Sequence, residues 1–176
     1  MSARLFTGYG VRTLAADEKA YNPLSYHNGS VWPHDNSLIA EGLRCYNHVD
    51  HLQRLGDALF DAAEVSEDLR LPELFCGFRR RDDEPPVPYE VACRPQAWAA
   101  GSAFLILKAM LGLVITPDQQ DIVLRSPILP SKVNSLRLDD LRVRDTELSL
   151  VVSRGRNTCN VEITRRSGPR RILIQK

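Results

Sequence analysis

The segment SYHNGSVWPHDN, residues 25–36, is rich in side chains that could bind a ligand. Two histidines and two asparagines occur there together with aspartate, serine and tryptophan, just before a helix-like apolar pattern begins. A helix N-cap needs one side-chain oxygen that accepts from the first free backbone N–H groups, and Asp35 or Asn36 can supply it. Capping leaves the other polar and aromatic groups unexplained, so this segment is a candidate wall of a binding site.

A second candidate is Glu73, in the segment LPELFCG at residues 71–77. It follows a proline and precedes two apolar residues, surroundings that a solvent-exposed glutamate does not need. If this loop is covered, the carboxylate is partly desolvated, and a carboxylate in that setting can act as a general base. A capping or salt-bridged carboxylate is the alternative, and the residues alone leave both interpretations open.

Both candidate regions combine flat apolar faces with directional hydrogen-bonding groups. A sugar ring presents the complementary features, because it has apolar C–H faces and a rim of hydroxyl groups. Each aromatic residue, taken singly, fits a hydrophobic core equally well. The aromatic candidates are Tyr26, Trp32, Phe75, Phe78, Tyr89 and Trp98, and the hydrogen-bonding candidates are His27, Asn28, His34, Asp35, Glu73, Glu90 and Gln96.

Other chemistries find little support in the sequence. It has no Gly-x-Ser-x-Gly elbow, no Walker loop and no His-Glu-x-x-His motif. The four cysteines form no Cys-x-x-Cys pair. A metal site built from His27, His34 and Asp35 is conceivable, but ordinary hydrogen bonding accounts for these side chains more simply. We therefore expect no metal and no cofactor.

Charge and hydropathy bear on the partners and the compartment. The formal net charge is +1, so we expect neither nucleic acid nor an anionic membrane as a partner. No apolar run approaches the roughly 18 residues that a membrane-spanning helix requires. These features predict a cytoplasmic protein with reduced thiols.

Three helices are predicted to position the candidate residues. Apolar spacings of three and four predict a helix over residues 35–47 and a second helix from Val49 onward. A third helix, from Pro95 to Gly112, is apolar around most of its circumference, which predicts burial on most sides. The expected buried stripes are Leu38, Ile39, Leu43 and Tyr46 in the first helix, and Val49, Leu52, Leu55, Leu59, Phe60 and Ala63 in the second.

The pattern changes to period two at about Val114. Apolar and polar residues then alternate, with Pro, Asn, Gly and Asp between the runs, which predicts an antiparallel sheet of four to six short strands. The predicted strand segments are residues 121–130, 135–145, 147–153, 159–166 and 171–176.

Three blocks follow one another in the chain: YNPLSYHNGSVWPHDNSLIAEGL, LPELFCG and PYEVACRPQAWAAGSAFLILKAMLGL. Together they resemble the C-terminal part of the amylo-α-1,6-glucosidase, or glycogen debranching enzyme-like, glycosidases, whose catalytic domain is a six-hairpin (α/α)6 barrel. The resemblance implies a mainly α fold with a β appendage. Residues 1–113 would form part of the barrel, with about three long helices, and residues 114–176 a small antiparallel β domain.

The resemblance also implies a reaction and a site. Members of this family hydrolyse α-glycosides with inversion, using a general acid and a general base, so the implied substrate is an α-linked glucan or another α-glycoside. The base lies in the Leu-Pro-Glu-Leu block, which here contains Glu73. The residues that would line the sugar subsite are Trp32, His34, Asp35, Gln96 and Trp98.

The chain departs from the family pattern because it has no block that carries the general acid. Asp35 is the one local candidate to replace that acid. We therefore expect the chain to be inactive alone, and to need a separate chain carrying the rest of the barrel or to self-associate. The alternative function is a non-catalytic carbohydrate-binding or structural remnant.

Overall fold

The computed structural model describes residues 1–82, 84–115, 121–156 and 158–175. The chain divides into two compact units, Met1–Leu107 and Lys108–Lys176, here called the first and second units. The division after residue 113, expected from the change of sequence pattern, stays a prediction. Within the described ranges no helix combines the length and the apolar composition that crossing a membrane would require.

The first two helices are α1, Pro33–Cys45, and α2, Val49–Glu64, and they pack against each other. The buried stripe predicted for α2 is confirmed at its centre, where Leu52, Leu55 and Leu59 are fully buried. Three residues connect the helices, and the backbone reverses at Asn47, whose φ is 59°. The spacing of apolar residues therefore identified both the second helix and its core face.

Helix α1 buries a different face from the one predicted. Asn36, Ser37 and Ala40 are buried, whereas Leu38 is 56% exposed and Tyr46 is 80% exposed. The Asn36 amide explains the reversal, because its Nδ2 donates to the carbonyls of Trp32 and Val11 while its Oδ1 accepts from the Val11 N–H. The predicted N-cap is also wrong, since α1 begins at Pro33 and its N-cap residue, Trp32, makes no side-chain cap bond.

The third helix, α3, spans Ala97–Leu111. It ends before Gly112, as predicted, and Gly112 has a left-handed φ of 57° that favours glycine. The predicted burial on most sides is wrong. Ile106 is fully buried, but Trp98 is 48% exposed and Phe104 is 76% exposed on the same helix.

The predicted mainly α fold, with part of a six-hairpin barrel, is wrong. The described ranges contain three α-helices, of 13, 16 and 15 residues, and two three-stranded sheets whose strands together have nearly as many residues. A barrel of helical hairpins requires one helix to follow another around a ring. Here the segments before α1 and between α2 and α3 instead run as loops that pair with one another through isolated β-bridges.

The second unit contains both sheets. One sheet has the order β1 (Leu113–Ile115), β2 (Asp121–Arg125), β6 (Arg171–Gln175); the other has the order β3 (Ser135–Val143), β4 (Thr146–Arg154), β5 (Cys159–Ser167). Each of the five predicted segments contains a strand, but the first strand ends at Arg125 rather than at residue 130, and β1 was not predicted. Lys176 lies outside the described residues. The prediction of a purely antiparallel sheet is wrong, because β2 and β6 run parallel. Alternation shows which side chains share a face and carries no information on strand direction.

Candidate active site

Three loop segments of the first unit meet side by side: the first segment precedes α1 and contains Tyr26 and Val31, the second is residues 73–77, and the third is residues 87–93. Val31 and Phe75 exchange both backbone hydrogen bonds, with N···O distances of 2.9 and 3.0 Å, and the Cys76 N–H donates to the Val87 carbonyl at 2.9 Å. Phe75 also packs in a buried apolar cluster with Tyr9, against whose ring it lies edge-on. Phe75, expected as a possible sugar-facing residue, is therefore a core residue that holds the loops together.

Two glycines allow the first two segments to approach closely. A Cβ atom on Gly77 would lie 1.6 Å from the carbonyl oxygen of Gly29, far inside contact distance. Gly29 itself has a φ of 141°, and a Cβ there would lie 2.6 Å from the ring of Tyr21. The Gly77 carbonyl accepts from Arg12 Nε at 2.7 Å and from Tyr21 Oη at 3.1 Å. Only glycine fits at position 77 without moving the backbone of its neighbour.

Glu73 lies where these segments meet. Its side chain is buried, with only 6% of the residue exposed. Tyr26 Oη donates to Glu73 Oε1 at 2.6 Å, and the Cys93 N–H donates to Oε2 at 3.1 Å. The backbone of Glu73 is held as well, because its N–H donates to the Cys93 carbonyl at 3.2 Å. The carboxylate thus joins the first segment to the third.

These hydrogen bonds decide the ionisation of Glu73. The bond from Tyr26 is the largest cause that lowers the pKa of Glu73, and the Cys93 N–H adds to it, while burial opposes both. Smaller lowering effects come from the side chains of Cys93 and Gln96. The same bond raises the pKa of Tyr26 to about 12. The Cys93 thiol makes its own hydrogen bond to Glu73, which is the largest cause that raises the pKa of that thiol. Glu73 is therefore ionised at neutral pH, and Tyr26 remains a proton donor.

A series of ring contacts starts at Tyr26, whose hydroxyl donates to this carboxylate. Tyr26 lies 4.8 Å from Trp32 and 5.7 Å from Tyr89, measured between ring centroids. Trp32 lies 6.4 Å from Trp98, whose ring stacks with that of His34 at 4.9 Å and 18°. The rings thus connect the first segment, the third segment and the beginning of α3.

The two tryptophans of the site differ in accessibility. Trp32 is 7% exposed, and its Nε1 donates to Ser30 Oγ at 3.0 Å and to the Tyr26 carbonyl at 3.2 Å. Trp98 is 48% exposed. Trp32 therefore supports the neighbouring rings, and Trp98 offers the flat surface that a ligand can reach.

Asp35 and His34 lie at the edge of the group. His34 Nδ1 is 3.2 Å from Asp35 Oδ1, close enough for an ion pair when His34 is protonated, but the geometry does not make a hydrogen bond. The Asp35 side chain is 47% exposed. Its role as a general acid stays a prediction, as do the roles assigned to the other site residues.

The structure brings most of the predicted site residues together. One connected group of hydrogen bonds and ring contacts includes Glu73, Gln96, Trp32, Trp98 and His34. The position of Tyr26 in the same segment as Trp32 marked it as an aromatic candidate, but nothing in the sequence pairs it with a residue 47 positions away. Nothing in the sequence indicated that the backbone N–H of Cys93 donates to Glu73.

The arrangement around the histidines does not resemble a metal site. His27 stacks on Trp32, with centroids 6.0 Å apart, while His34 stacks on Trp98. Among the residues that the structure describes, no group of three or more His, Cys, Asp or Glu side chains is placed to hold a metal ion. The chemistry that this geometry supports is proton acceptance by an ionised carboxylate beside aromatic surfaces.

Tyr26→Phe should raise the pKa of Glu73 toward its ordinary value of 4.5, because it removes the largest cause of the lowering. The titration of the Glu73 side-chain carboxyl carbon, followed by NMR, measures this pKa. Tyr21→Phe is the matched control, since the Tyr21 hydroxyl donates to the Gly77 carbonyl rather than to Glu73. An unchanged Glu73 pKa in Tyr26→Phe would show that this hydrogen bond does not control its ionisation.

Comparison with known proteins supports a glycosidase-related function. Residues 1–79 match the family model of the mannosylglycerate hydrolase MGH1-like glycoside hydrolase domain. The match covers less than half of the chain, and it includes Tyr26 and Glu73 but not Gln96 or Trp98. The chain matches no curated protein. The predicted resemblance is confirmed at the level of a glycoside hydrolase domain, which implies a carbohydrate substrate, and the narrower resemblance to amylo-α-1,6-glucosidases stays a prediction.

Proposed function

We propose that this chain supplies the general base and part of the sugar-binding wall of an inverting glycoside hydrolase that acts on α-linked glucans or related α-glycosides. The observation that carries the proposal is Glu73, a buried and ionised carboxylate held by two donors, one of which, Tyr26, belongs to a group of ring contacts. The family match to a glycoside hydrolase domain, which includes Glu73, gives independent support. The name of that model, a mannosylglycerate hydrolase, agrees with a glycoside as the substrate.

Glu73 is ionised and can accept a proton, while the hydrogen bonds that lower its pKa make it a weaker base than an ordinary glutamate. In inversion, the base takes a proton from a water molecule that attacks the anomeric carbon on the face opposite the leaving group. An ionised carboxylate has about four lone-pair positions on its two oxygens. Tyr26 and the Cys93 N–H each occupy one position, on different oxygens, and the side chains of Cys93 and Gln96 make weaker hydrogen bonds to the same carboxylate. An attacking water would take the place of one of these weaker bonds. Tyr26 and the Cys93 N–H also restrict the rotation of the carboxylate.

A general acid is the second requirement of the proposed reaction. In inverting enzymes it stands about 6.5 to 9.5 Å from the base, so that a water molecule fits between the base and the sugar. Asp35 is the candidate in this chain. Its side chain is nearly half exposed and lies beside His34, and it takes no part in the hydrogen bonds that hold Glu73. This favours a second candidate function, a non-catalytic carbohydrate-binding module, unless a separate chain or a second copy supplies the acid.

The binding of a neutral sugar by the purified chain tests the sugar-binding wall. We expect Trp98→Ala to weaken the binding of maltotriose about tenfold, or about 1.4 kcal/mol, because the exposed ring would no longer bury the apolar face of a sugar. Phe104→Ala is the matched control, since Phe104 is an exposed aromatic residue on the same helix, outside the ring contacts of the site. Calorimetric titration measures both affinities. Equal weakening by the two substitutions, or no binding by the unmodified chain, would contradict the proposal.

The same purified chain separates the two candidate functions. We expect it to bind maltotriose without releasing glucose, because a general base without its acid loses much of the rate enhancement. Glucose release that Asp35→Asn abolishes would instead assign the acid to this chain.

A further inference from the structure

A cavity of approximately 700 Å³ lies in the first unit beside the loops that hold Glu73. This volume falls within the range of about 300 to 1,000 Å³ that is typical of small-molecule sites. Its lining includes Leu24, Phe78, Val87 and the three consecutive residues Arg79, Arg80 and Arg81. The proposed glycosidase chemistry uses none of these side chains.

The cavity combines an apolar surface with three guanidinium groups and one carboxylate, that of Glu84. Leu24, Phe78 and Val87 are 59%, 41% and 42% exposed, so their apolar atoms are open to a ligand. An aromatic ring and aliphatic side chains can cover the C–H face of a sugar. A guanidinium group presents a planar set of donors that fits a carboxylate or a phosphate with two parallel hydrogen bonds.

The three arginines differ in how much of their charge is satisfied within the protein. Arg80 donates to Asp61 at 2.8 Å, and its guanidinium carbon lies 4.6 Å from the centre of the Tyr9 ring. Arg81 is 3.8 Å from Glu84, and both of these side chains are more than half exposed, so their attraction is weak. Arg79 is exposed and has no ion pair among the residues that the structure describes. Arg80 is therefore a fixed part of the wall, whereas Arg79 and Arg81 can bind an anion.

The cavity and the candidate active site are held by the same three segments. The Gly77 N–H donates to the carbonyl of Pro23, next to Leu24, and the Cys76 N–H donates to the carbonyl of Val87. Tyr26 lies two residues after Leu24, and Tyr89 lies two residues after Val87. The rings of these two tyrosines are in contact. A ligand bound in the cavity therefore lies against the loops that carry these ring contacts.

We propose that this cavity binds the anionic group of a charged saccharide, a carboxylate, sulfate or phosphate attached to a sugar, with Arg79 and Arg81 as its charged contacts. The saccharide part of this inference rests on the proposed function. The anionic part rests on the arginines and the cavity alone.

Calorimetric titration of the purified full chain with glucose, glucuronate and glucose 6-phosphate, at low ionic strength, tests the inference. We expect at least one charged sugar to bind about tenfold more tightly than glucose, and this preference to shrink as salt is added. Arg79→Gln and Arg81→Gln should each remove much of the preference. Arg156→Gln is the matched control, because it removes one exposed positive charge outside the cavity. If glucuronate binds more tightly than glucose 6-phosphate, the anionic group of the natural ligand is assigned as a carboxylate. If glucose 6-phosphate binds more tightly, the group is assigned as a phosphate.

Two results would overturn the inference in different ways. Equal affinities for glucose and both charged sugars, or a preference that survives in both arginine variants, would remove the anion site and leave the proposed function standing. If inorganic phosphate binds as tightly as glucose 6-phosphate and neither glucose nor maltotriose binds, the saccharide in this inference falls together with the proposed function.

Discussion

Gly77→Ala is expected to lower the free energy of unfolding of the first unit by about 3 kcal/mol, and to abolish sugar binding. The added Cβ would lie 1.6 Å from the Gly29 carbonyl oxygen, which belongs to the backbone and cannot rotate away. The first two loop segments would have to separate, and the paired hydrogen bonds between Val31 and Phe75 would stretch or break. Tyr26 and Glu73 lie on opposite sides of this contact, so their hydrogen bond would be lost with it.

Gly42→Ala is the matched control for this prediction. A Cβ atom on Gly42 would meet nothing within 4 Å, and Gly42 lies inside α1. Alanine is a better helix former than glycine, so this variant should gain about 0.5 to 1 kcal/mol. Urea unfolding and maltotriose titration of both variants measure the two effects. A Gly77→Ala protein as stable as the Gly42→Ala protein would show that the loops tolerate separation.

Glu73→Leu is expected to have the second largest effect, lowering the free energy of unfolding by about 2 to 4 kcal/mol at neutral pH. Leucine is close to glutamate in size but accepts no hydrogen bond, so Tyr26 Oη and the Cys93 N–H would lose their acceptor. A buried donor left without an acceptor costs about 1 to 3 kcal/mol. Glu73→Gln keeps an oxygen acceptor and should be closer to the natural protein in stability. Equal stability of the leucine and glutamine variants would show that these hydrogen bonds do not hold the segments together.

The same carboxylate should make stability depend on pH. The pKa of Glu73 is lower in the folded protein than its ordinary value of 4.5, so the unfolded chain takes up a proton first as the pH falls. The stabilising contribution is therefore complete above about pH 4.5 and is lost as the pH falls through the lowered pKa. Glu73→Gln, which does not titrate, should lose less stability than the natural protein between pH 7 and pH 3. Urea unfolding at these two pH values measures the difference, and identical losses would contradict the assignment.

The secondary structure was predictable wherever burial followed the apolar pattern. In α2, Leu52, Leu55 and Leu59 face the core, as a helical stripe requires. The alternating segments after residue 120 form strands, because alternation also reports a buried face. In α1 the same reasoning chose the wrong face, since the side chain of Asn36 is buried by its hydrogen bonds to the backbone of a distant loop.

The candidate site was predictable only in part, for a related reason. The residue types around Glu73 and Trp98 indicated a site for a sugar, and the structure brings these two regions together through the ring contacts. The sequence could not indicate which donor holds Glu73, because one is a backbone N–H and the other comes from a different loop. It also did not indicate that Trp32 would be buried while Trp98 remained accessible.

By itself, the sequence determined the local structure: the three helices, most of the strands, and the two segments in which polar and aromatic side chains gather. These features depend on contacts between residues that are near one another in the chain. The tertiary structure alone decided which helix faces are buried, the parallel pairing of β2 with β6, and the lowered pKa of Glu73. The hydrogen bonds that hold this carboxylate join residues 47 and 20 positions apart, and no local pattern records a contact over such a separation.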